Sequence, residues 1–199
     1  MFTVAKGEET RQAILSRAFE LAKVSGLSGL SIGRLAEETG LSKSGLFAHF
    51  GSKEALEVAV VEEATRQFVE LVVTPALRQP RGEPRVRALF ERWVLWGLRP
   101  GGCFFVGAGA ELDDRAGLPR DVLVQTCKDW LDTLATAARI TVTEGQFRAD
   151  LDPDQFAFEV HSIMLGFHTY QKFLRATDSL ERAHESFERL LVSARAPAR

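Results

Sequence analysis

Apolar residues recur at intervals of three or four positions along nearly the whole chain, which is the spacing of amphipathic α-helices. Near the start, Ile14, Ala18 and Leu21 keep this spacing between charged residues, and Gly26 follows as a helix stop. The pattern therefore predicts a first helix over residues 8–25. No stretch alternates apolar and polar residues as a half-buried strand does. We expect an all-α fold.

Capping residues and helix breakers divide the rest of the chain. Ser31, Ser42 and Ser52 each precede a short helical run, where a serine hydroxyl can accept a hydrogen bond from a free backbone N–H. We place a domain boundary at the start of the long helix that follows, so that residues 1–52 form one domain and residues 53–199 a second. Prolines and glycines separate the later helices. These helices are predicted over residues 53–77, 84–98, 103–112, 119–145, 154–176 and 180–194.

The segment from Ile32 to Leu46 has the pattern of a helix-turn-helix. Ala36 stands where two helices would cross closely, and Gly40 stands where the turn requires a positive φ. A larger side chain at position 36 would push the two helices apart. An ordinary three-helix subdomain could use the same small residue and the same glycine, so this spacing alone does not establish DNA binding.

The outward-facing residues of this segment favour DNA as the partner. If Ser42 caps the second helix, cationic and hydroxyl side chains meet at the N-terminal end of that helix, which also attracts phosphate. Residues at the starts of the flanking helices could hold the DNA backbone on both sides of the groove. The candidate DNA-binding residues are Ser31, Arg34, Lys43, Ser44, Gly45, Phe47, His49 and Lys53.

An N-terminal helix, the run LSIGRLAEETGLSKSGLFAHFGSKEAL and an all-helical remainder together resemble the TetR family of transcriptional regulators. The resemblance implies an N-terminal three-helix helix-turn-helix DNA-binding domain, followed by a helical ligand-binding and dimerisation domain. It also implies phosphate contacts from Ser31, His49 and Lys53, with groove contacts from the other candidate residues.

Three positions depart from the pattern of that family. Phe47 and Ala48 stand where many members carry tyrosines, so a phenolic hydrogen bond to phosphate is missing. Gly45 has no side chain with which to read a base. Direct readout of the bases therefore falls on Lys43, Ser44 and Arg34.

The last two predicted helices are candidates for a dimer interface. One recognition helix reads only a few base pairs, whereas two helices related by a two-fold axis read a palindrome. The helix over residues 154–176 is apolar almost all round, as expected of a helix covered on two sides. We expect a homodimer held by a four-helix bundle, the alternative being that both helices only complete the monomer's core. The candidate interface residues are Phe158, His161, Leu165, His168, Phe187, Leu190 and Leu191.

The middle of the chain is rich in aromatic residues. Bulky rings in a helix bundle leave irregular space that an apolar ligand can fill, although any one ring could equally be core. No charged cluster stands out in the sequence there, so we expect a mainly apolar or aromatic effector. The candidate pocket residues are Phe68, Phe90, Trp93, Trp96, Phe104, Phe105 and Trp130.

Composition narrows the possible function classes. The net charge is −2 and the sequence pI is about 6.1, values that neither support nor exclude DNA binding, because a whole-chain sum can hide a local basic face. The chain opens without a signal-peptide pattern, and no apolar run approaches the roughly 20 residues of a membrane-spanning helix. We expect a cytoplasmic protein without a membrane partner.

The sequence offers little support for catalysis or for a bound cofactor. Cys103 and Cys127 are too few for a disulfide scaffold and lie at no metal-ligand spacing. Nothing in the spacing pairs either thiol with a histidine as nucleophile and base, so we expect neither an enzyme nor a cofactor or metal site. Cys103 stands beside glycines at a predicted helix start, where a thiol can have a lowered pKa.

These observations together predict a sequence-specific DNA-binding transcriptional regulator. Its expected partners are double-stranded DNA with a palindromic operator, a small-molecule effector and a second copy of the chain. A repressor is favoured over an activator because the sequence contains no separate activating segment. Two alternatives stay open: a non-specific architectural DNA-binding protein, and a redox-sensing regulator that acts through Cys103.

Overall fold

The structure, a computed structural model, describes residues 2–197, with side chains from residue 7 onwards. The prediction of an all-α fold is confirmed: within this part of the chain the regular elements are helices, and Phe147 and Arg195 form an isolated antiparallel bridge. None of the described helices is long and apolar enough to cross a membrane. The helices are α1 Phe2–Ser25, α2 Ile32–Thr39, α3 Lys43–Phe50, α4 Lys53–Phe68, α5 Thr74–Leu77, α6 Glu83–Gly97, α7 Phe104–Leu112, α8 Leu118–Thr143, α9 Pro153–His168 and α10 Ser179–Ala194.

Two of the predicted long helices contain π-helical turns. The helix expected over residues 53–77 consists of α4, a π-helical turn at Val69–Val73 and α5. The helix expected over residues 154–176 consists of α9 and a second π-helical turn at Thr169–Phe173. Periodicity of apolar residues does not resolve such turns, because the chain stays helical through them.

The chain forms two compact units. The first comprises residues up to 67 together with residues 103–125, and the second comprises residues 68–102 together with those from 126 onwards. The predicted domain boundary after residue 52 lies between α3 and α4 and stays a prediction. The first unit extends beyond it and also contains most of α4, α7 and the start of α8.

The core of the first unit is built from apolar side chains of its N-terminal helices. Ile14 and Phe19 of α1, Leu35 of α2 and Leu46 of α3 are each at most 2% exposed. Phe19 also meets Phe104 of α7 edge to face, with ring centroids 5.4 Å apart. Each such side chain contributes about 1.5–3 kcal/mol when it is fully buried. The two short helices α2 and α3 are therefore stabilised by burial against longer ones.

Aromatic pairs hold α6, α9 and α10 together in the second unit. Phe90 of α6 stacks on Phe187 of α10, with centroids 3.9 Å apart and an interplanar angle of 8°. Trp93 of α6 meets Phe167 of α9 at 6.3 Å in an edge-to-face arrangement. All four rings are at most 3% exposed, so they form the centre of this core.

A buried ion pair anchors α4 in the first unit. The side chain of Glu57 is 0% exposed and accepts two hydrogen bonds from Arg115, one of which is 3.3 Å long. Lys53 Nζ lies 3.6 Å from the same carboxylate. A carboxylate without solvent is tolerated only when it is paired in this way.

Arg115→Ala should therefore lower the free energy of unfolding by about 3 kcal/mol, because it leaves the buried Glu57 carboxylate with Lys53 alone. Urea denaturation followed by circular dichroism would measure the loss. Arg78→Ala, which truncates an exposed arginine, serves as the matched control and should change stability little. Arg115→Ala combined with Glu57→Gln should recover part of the loss, since a buried amide costs less than a buried unpaired charge. Unchanged stability of Arg115→Ala would contradict the structural role of this pair.

Candidate nucleic-acid interface

Helix α2 begins and ends at the residues that the sequence indicated. Ser31 is its N-cap, and the N–H of Arg34 donates to Ser31 Oγ at 3.2 Å. Gly40 ends the helix with φ 68°, in the left-handed region that favours glycine. Leu35 and Ala36 are buried on the inner face. The small side chain of Ala36 thus stands where close helix packing was expected.

Helix α3 follows directly after this turn. The N–H of Leu41 donates to Ala36 O at 3.1 Å, which closes the turn. Ser42 caps α3 by accepting a hydrogen bond from the N–H of Gly45 at 3.0 Å. Leu46 and Phe50 point inward and are buried. The opposite face of α3 is therefore left to the solvent.

Helix α1 braces both short helices. Arg17 donates hydrogen bonds to the carboxylate of Glu38 on α2, and these bonds hold the pKa of Glu38 below its usual value. The guanidinium of Arg11 lies 5.3 Å from the ring centroid of Phe50, at the end of α3. These contacts join α1, α2 and α3 into one three-helix module, as predicted for a helix-turn-helix domain.

The outer face of α3 carries most of the candidate DNA-binding residues. Lys43, Ser44 and Phe47 are exposed, and half of the surface of Phe47 is accessible. Ser44 Oγ lies 3.0 Å from Ser42 Oγ, so the two hydroxyls form a polar edge at the start of the helix. The stem of Lys43 passes near Gly33, where an added Cβ would lie 3.5 Å from Lys43 Cε. A cation, two hydroxyls and an aromatic ring therefore face the solvent together.

The flanking candidates differ in how accessible they are. Ser31 and Arg34 are exposed, whereas Gly45 and His49 are half-buried. The ring of His49 lies 6.3 Å from that of Phe50.

Lys53 stands at the start of α4 and is already engaged within the chain. In addition to its ion pair with Glu57, its Nζ donates to Ser28 O at 3.4 Å. About half of its side chain stays exposed. A phosphate at this position would therefore compete with Glu57 for the Lys53 ammonium group.

The candidate pocket residues fall into two groups. Phe68, Phe90, Trp93, Trp96 and Trp130 are buried in the second unit, whereas Phe104 and Phe105 belong to the first. That all seven line one pocket stays a prediction, and three of the five in the second unit form a cluster of their own.

An aromatic cluster forms around Phe68. Its ring meets Trp130 at 5.0 Å and Trp96 at 5.5 Å, both edge to face. The indole N–H of Trp130 is buried and has no hydrogen-bond partner in the described part of the chain. A buried donor without an acceptor is uncommon in a folded protein and indicates a place for a water or a ligand oxygen.

The candidate interface residues are also divided by the fold. Phe158 and Leu165 of α9 are exposed, to 64% and 39%, and Leu190 of α10 is half-buried. Phe187 and Leu191 lie in the core of their own chain instead, because α6 packs Phe90 against that face of α10. These two side chains have no surface to offer to a second copy.

His161 and His168 lie half-buried along the same side of α9. Burial lowers the pKa of both imidazoles, and nearby Lys172 lowers that of His168 further. The Nδ1 atoms of both rings are buried and have no hydrogen-bond partner within the described residues. Both histidines are thus favoured in the neutral form.

The two thiols differ in exposure. Cys103 is 2% exposed at the start of α7, so the thiol that a redox-sensing regulator would use is shielded from solvent. Cys127 is half-buried, and burial raises the pKa of its thiol. Burial thus favours the thiol of Cys127 over the reactive thiolate.

One charged site was not anticipated from the sequence. Arg99, Lys172 and Arg175 line an open cleft of about 350 Å³ with Gly101 and Gly102, here called the cationic cleft. Its residues come from the segment after α6 and the segment after α9, which are far apart in the chain. The spacing of residues within either segment therefore could not have revealed the cationic cleft.

The fold and the exposed face of α3 define a class of protein: an all-helical chain whose N-terminal helix-turn-helix can enter a DNA groove. The family model described as bacterial regulatory proteins, tetR family, matches residues 14–60, and the model described as tetracyclin repressor-like, C-terminal domain, matches residues 82–187. The chain belongs to the TetR family of transcriptional regulators. This family consists of regulators and not of enzymes.

Individual relatives agree with this assignment. The HTH-type transcriptional regulator SrpR of Pseudomonas putida is 30% identical over 164 residues, which cover 75% of this chain and 69% of the relative. A TetR transcriptional regulator from Chloroflexus aurantiacus J-10-FL has a TM-score of 0.86 at 24% identity and covers 97% of this chain and 100% of its own. The structure of AibR in complex with isovaleryl coenzyme A and operator DNA has a TM-score of 0.75 at 23% identity, with 93% and 99% coverage. At such identities the structural likeness shows the fold.

Gly40→Ala should lower the free energy of unfolding by about 1 kcal/mol through backbone strain alone, because an added Cβ would meet no other atom within 4 Å. The matched control is Gly107→Ala inside α7, where the surroundings are equally open but φ is helical. That variant should gain about 0.5–1 kcal/mol. Chemical denaturation of both variants measures the difference, and equal stabilities would show that the turn does not depend on the left-handed conformation.

Proposed function

We propose that this chain is a homodimeric, sequence-specific repressor that binds a palindromic operator through α3 and is released by a small, mainly apolar or aromatic ligand. The observation that carries the proposal is the outer face of α3. Lys43, Ser44 and Phe47 are exposed together there, on a module whose inner face is fully packed.

Base readout would fall on the first turn of α3 and on α2. Lys43 can donate to guanine acceptors in the major groove, and Ser44 can pair with several base edges. Phe47 can contact a thymine methyl group or a sugar. Arg34 is exposed on α2 and is available for a further contact. With Gly45 at the helix surface, the readout would use few side chains, so DNA shape would contribute to sequence preference.

Phosphate contacts would position α3 in the groove. The hydroxyl of Ser31 and the cation of Lys53 lie at the starts of α2 and α4, on either side of α3 in the chain. The N-terminal end of α3 adds a favourable dipole for a phosphate. His49 can supply one further donor. These contacts carry affinity without sequence information.

Dimerisation would use the outer stripe of α9. Phe158, His161, Leu165 and His168 follow the three- and four-residue spacing that places them on one side of the helix. A contiguous apolar stripe, and not a single exposed side chain, marks a surface that an assembly covers, and Phe158 and Leu165 are the exposed apolar members of this stripe. Leu190 of α10 would join them. A two-fold dimer gives two recognition helices for one palindrome.

Ligand response would use the aromatic cluster of Phe68, Trp96 and Trp130. The unpartnered indole N–H of Trp130 favours a ligand with an oxygen acceptor next to an apolar or aromatic body. Phe68 is the last residue of α4, and α4 begins shortly after α3. Displacement of Phe68 could thus be passed along α4 to the recognition helix. AibR, which shares the fold, was solved with both a small molecule and operator DNA, and we extend that combination to this chain.

Selection of bound duplexes from a random-sequence DNA pool at near-physiological salt would test the proposal. We expect enrichment of one palindromic sequence, which then serves as the probe for a ligand screen. Binding without enrichment would contradict sequence specificity and favour an architectural role, since such binding depends on salt alone. Absence of binding by the ligand-free chain would contradict the assignment of α3.

Lys43→Ala should weaken binding to the selected operator by about 1–3 kcal/mol, because it removes a cation from the centre of the proposed interface. Fluorescence anisotropy with labelled duplex measures the change. Lys128→Ala, which removes an exposed lysine of α8, is the matched control and should bind as the wild type does. Equal affinities of Lys43→Ala and Lys128→Ala would place the DNA contacts elsewhere.

Phe158→Glu combined with Leu165→Glu should convert the dimer to a monomer, because like charges would face each other across the two-fold axis. Light scattering and sedimentation velocity measure the mass. The control is Val24→Glu on α1, where an exposed apolar residue lies outside the proposed interface. A dimer that survives both substitutions would exclude this stripe as the interface, and circular dichroism would confirm that the monomer is folded.

A further inference from the structure

The cationic cleft lies in the second unit and is lined by three positive side chains. Arg99 follows α6, Lys172 belongs to the second π-helical turn, and Arg175 follows that turn. The cleft has a volume of about 350 Å³ and contains no carboxylate among its lining residues. Space of this size is sufficient for a small molecule.

Among the described residues, these three cations have no carboxylate partner, unlike most of the described arginines. No salt bridge to a described carboxylate involves Arg99, Lys172 or Arg175. On the neighbouring α10, by contrast, Arg182 is paired with Asp178 and Arg189 with Glu185. Three like charges in one cleft repel one another, which an anion from solution would relieve. Their grouping is notable in a chain of net charge −2.

Two glycines allow the backbone to approach Lys172 closely. Gly101 and Gly102 adopt φ values of 90° and 75°, and Lys172 Nζ donates to Gly101 O. A Cβ added to Gly102 would lie 2.8 Å from Lys172 Cδ and 3.1 Å from His168 Cε1, so only glycine allows this close approach.

Arg175 is a local outlier. It adopts φ 53° and is the one non-glycine residue with a positive φ among the described residues. The left-handed region costs a non-glycine residue about 1–2 kcal/mol. At Arg175 it ends the second π-helical turn, because the N–H of the next residue, Ala176, donates to Tyr170 O at 2.9 Å.

Arg99 also lines a second, smaller cleft. It has a volume of about 150 Å³, and its other lining residues are Leu71, Val72, Arg92, Leu95 and Trp96. The guanidinium of Arg99 lies 5.4 Å from the centroid of the Trp96 ring. Arg99 is therefore shared by the cationic cleft and by a second cleft with a mainly apolar lining.

From this geometry we infer that the cationic cleft is a binding site for a small molecule that carries a phosphate group and a short apolar portion. Arg99, Lys172 and Arg175 would hold the phosphate oxygens through charge-assisted hydrogen bonds. The apolar portion would pass Arg99 and lie against Leu95 and Trp96. This site is separate from the aromatic cluster around Phe68, and binding to it can be measured without DNA.

Isothermal titration calorimetry with inorganic pyrophosphate and with phenyl phosphate, at about 50 mM salt to limit screening, tests the inference. We expect both probes to bind and phenyl phosphate to quench tryptophan fluorescence more strongly than pyrophosphate.

Arg99→Gln combined with Lys172→Gln should weaken both affinities by at least about tenfold. The matched control, Lys128→Gln with Arg139→Gln, removes two exposed cations of α8 in the same unit and should leave binding unchanged. Equal binding by the two double variants, or no binding by the wild type, would overturn the inference.

Arg175→Gly separates a binding role from a structural one. Glycine relieves the positive φ, so the midpoint of thermal unfolding should rise while pyrophosphate affinity falls by about tenfold or more. A rise in stability with unchanged affinity would overturn the assignment of Arg175.

Operator DNA distinguishes a small-molecule site from a DNA contact. The operator affinity of the Arg99→Gln and Lys172→Gln variant should equal that of the wild type. A loss of operator affinity without a loss of pyrophosphate binding would show that the cleft contacts DNA instead.

Discussion

The orientation of α3 depends on the short turn that joins it to α2. Gly40 takes a left-handed φ, and the N–H of Leu41 is bonded to Ala36 O, so the turn has little freedom. Because Ala36 carries only a methyl group, the two helices can approach closely while Leu46 reaches the core. The direction of the whole outer face of α3 follows from this geometry. A change in the conformation of this turn would move Lys43 and Phe47 together, so the proposed DNA interface would shift as a whole.

Local features of this module could be predicted from the sequence because each acts over a few residues. The serine caps at positions 31 and 42, the glycine stop and the inward position of Leu46 all lie where the pattern indicated. The N-cap of a helix and its C-terminal end are determined by hydrogen bonds within one helical turn. The same signals placed most of the later helix boundaries within a few residues.

The face that each late helix presents to solvent could not be predicted in the same way. Phe187 and Leu191 continue an apolar stripe of α10, and a stripe alone does not say which partner covers it. The partner is α6, whose Phe90 is distant in the chain and stacks on Phe187. Tertiary packing of this kind decides between a core and an interface, and apolar periodicity is the same in both.

Charge pairing distinguishes the structural cations from those left available for a ligand. Arg17, Arg87, Arg115 and Arg195 each bind a carboxylate from a distant part of the chain and hold two elements together. Arg34 and Lys43 form no salt bridge with any described carboxylate, and the same holds for the lining of the cationic cleft. A solvated cation contributes little to stability. Clusters of unpaired cations are therefore free to be used for phosphates, in DNA or in a small molecule.

Departures from regular helix geometry occur beside both proposed ligand positions in the second unit. The first π-helical turn begins directly after Phe68 of the aromatic cluster, and the second contains Lys172 and precedes Arg175. Such turns are rare in regular helices and are frequent at functional sites. A bound anion would supply the negative charge that the cationic cleft lacks.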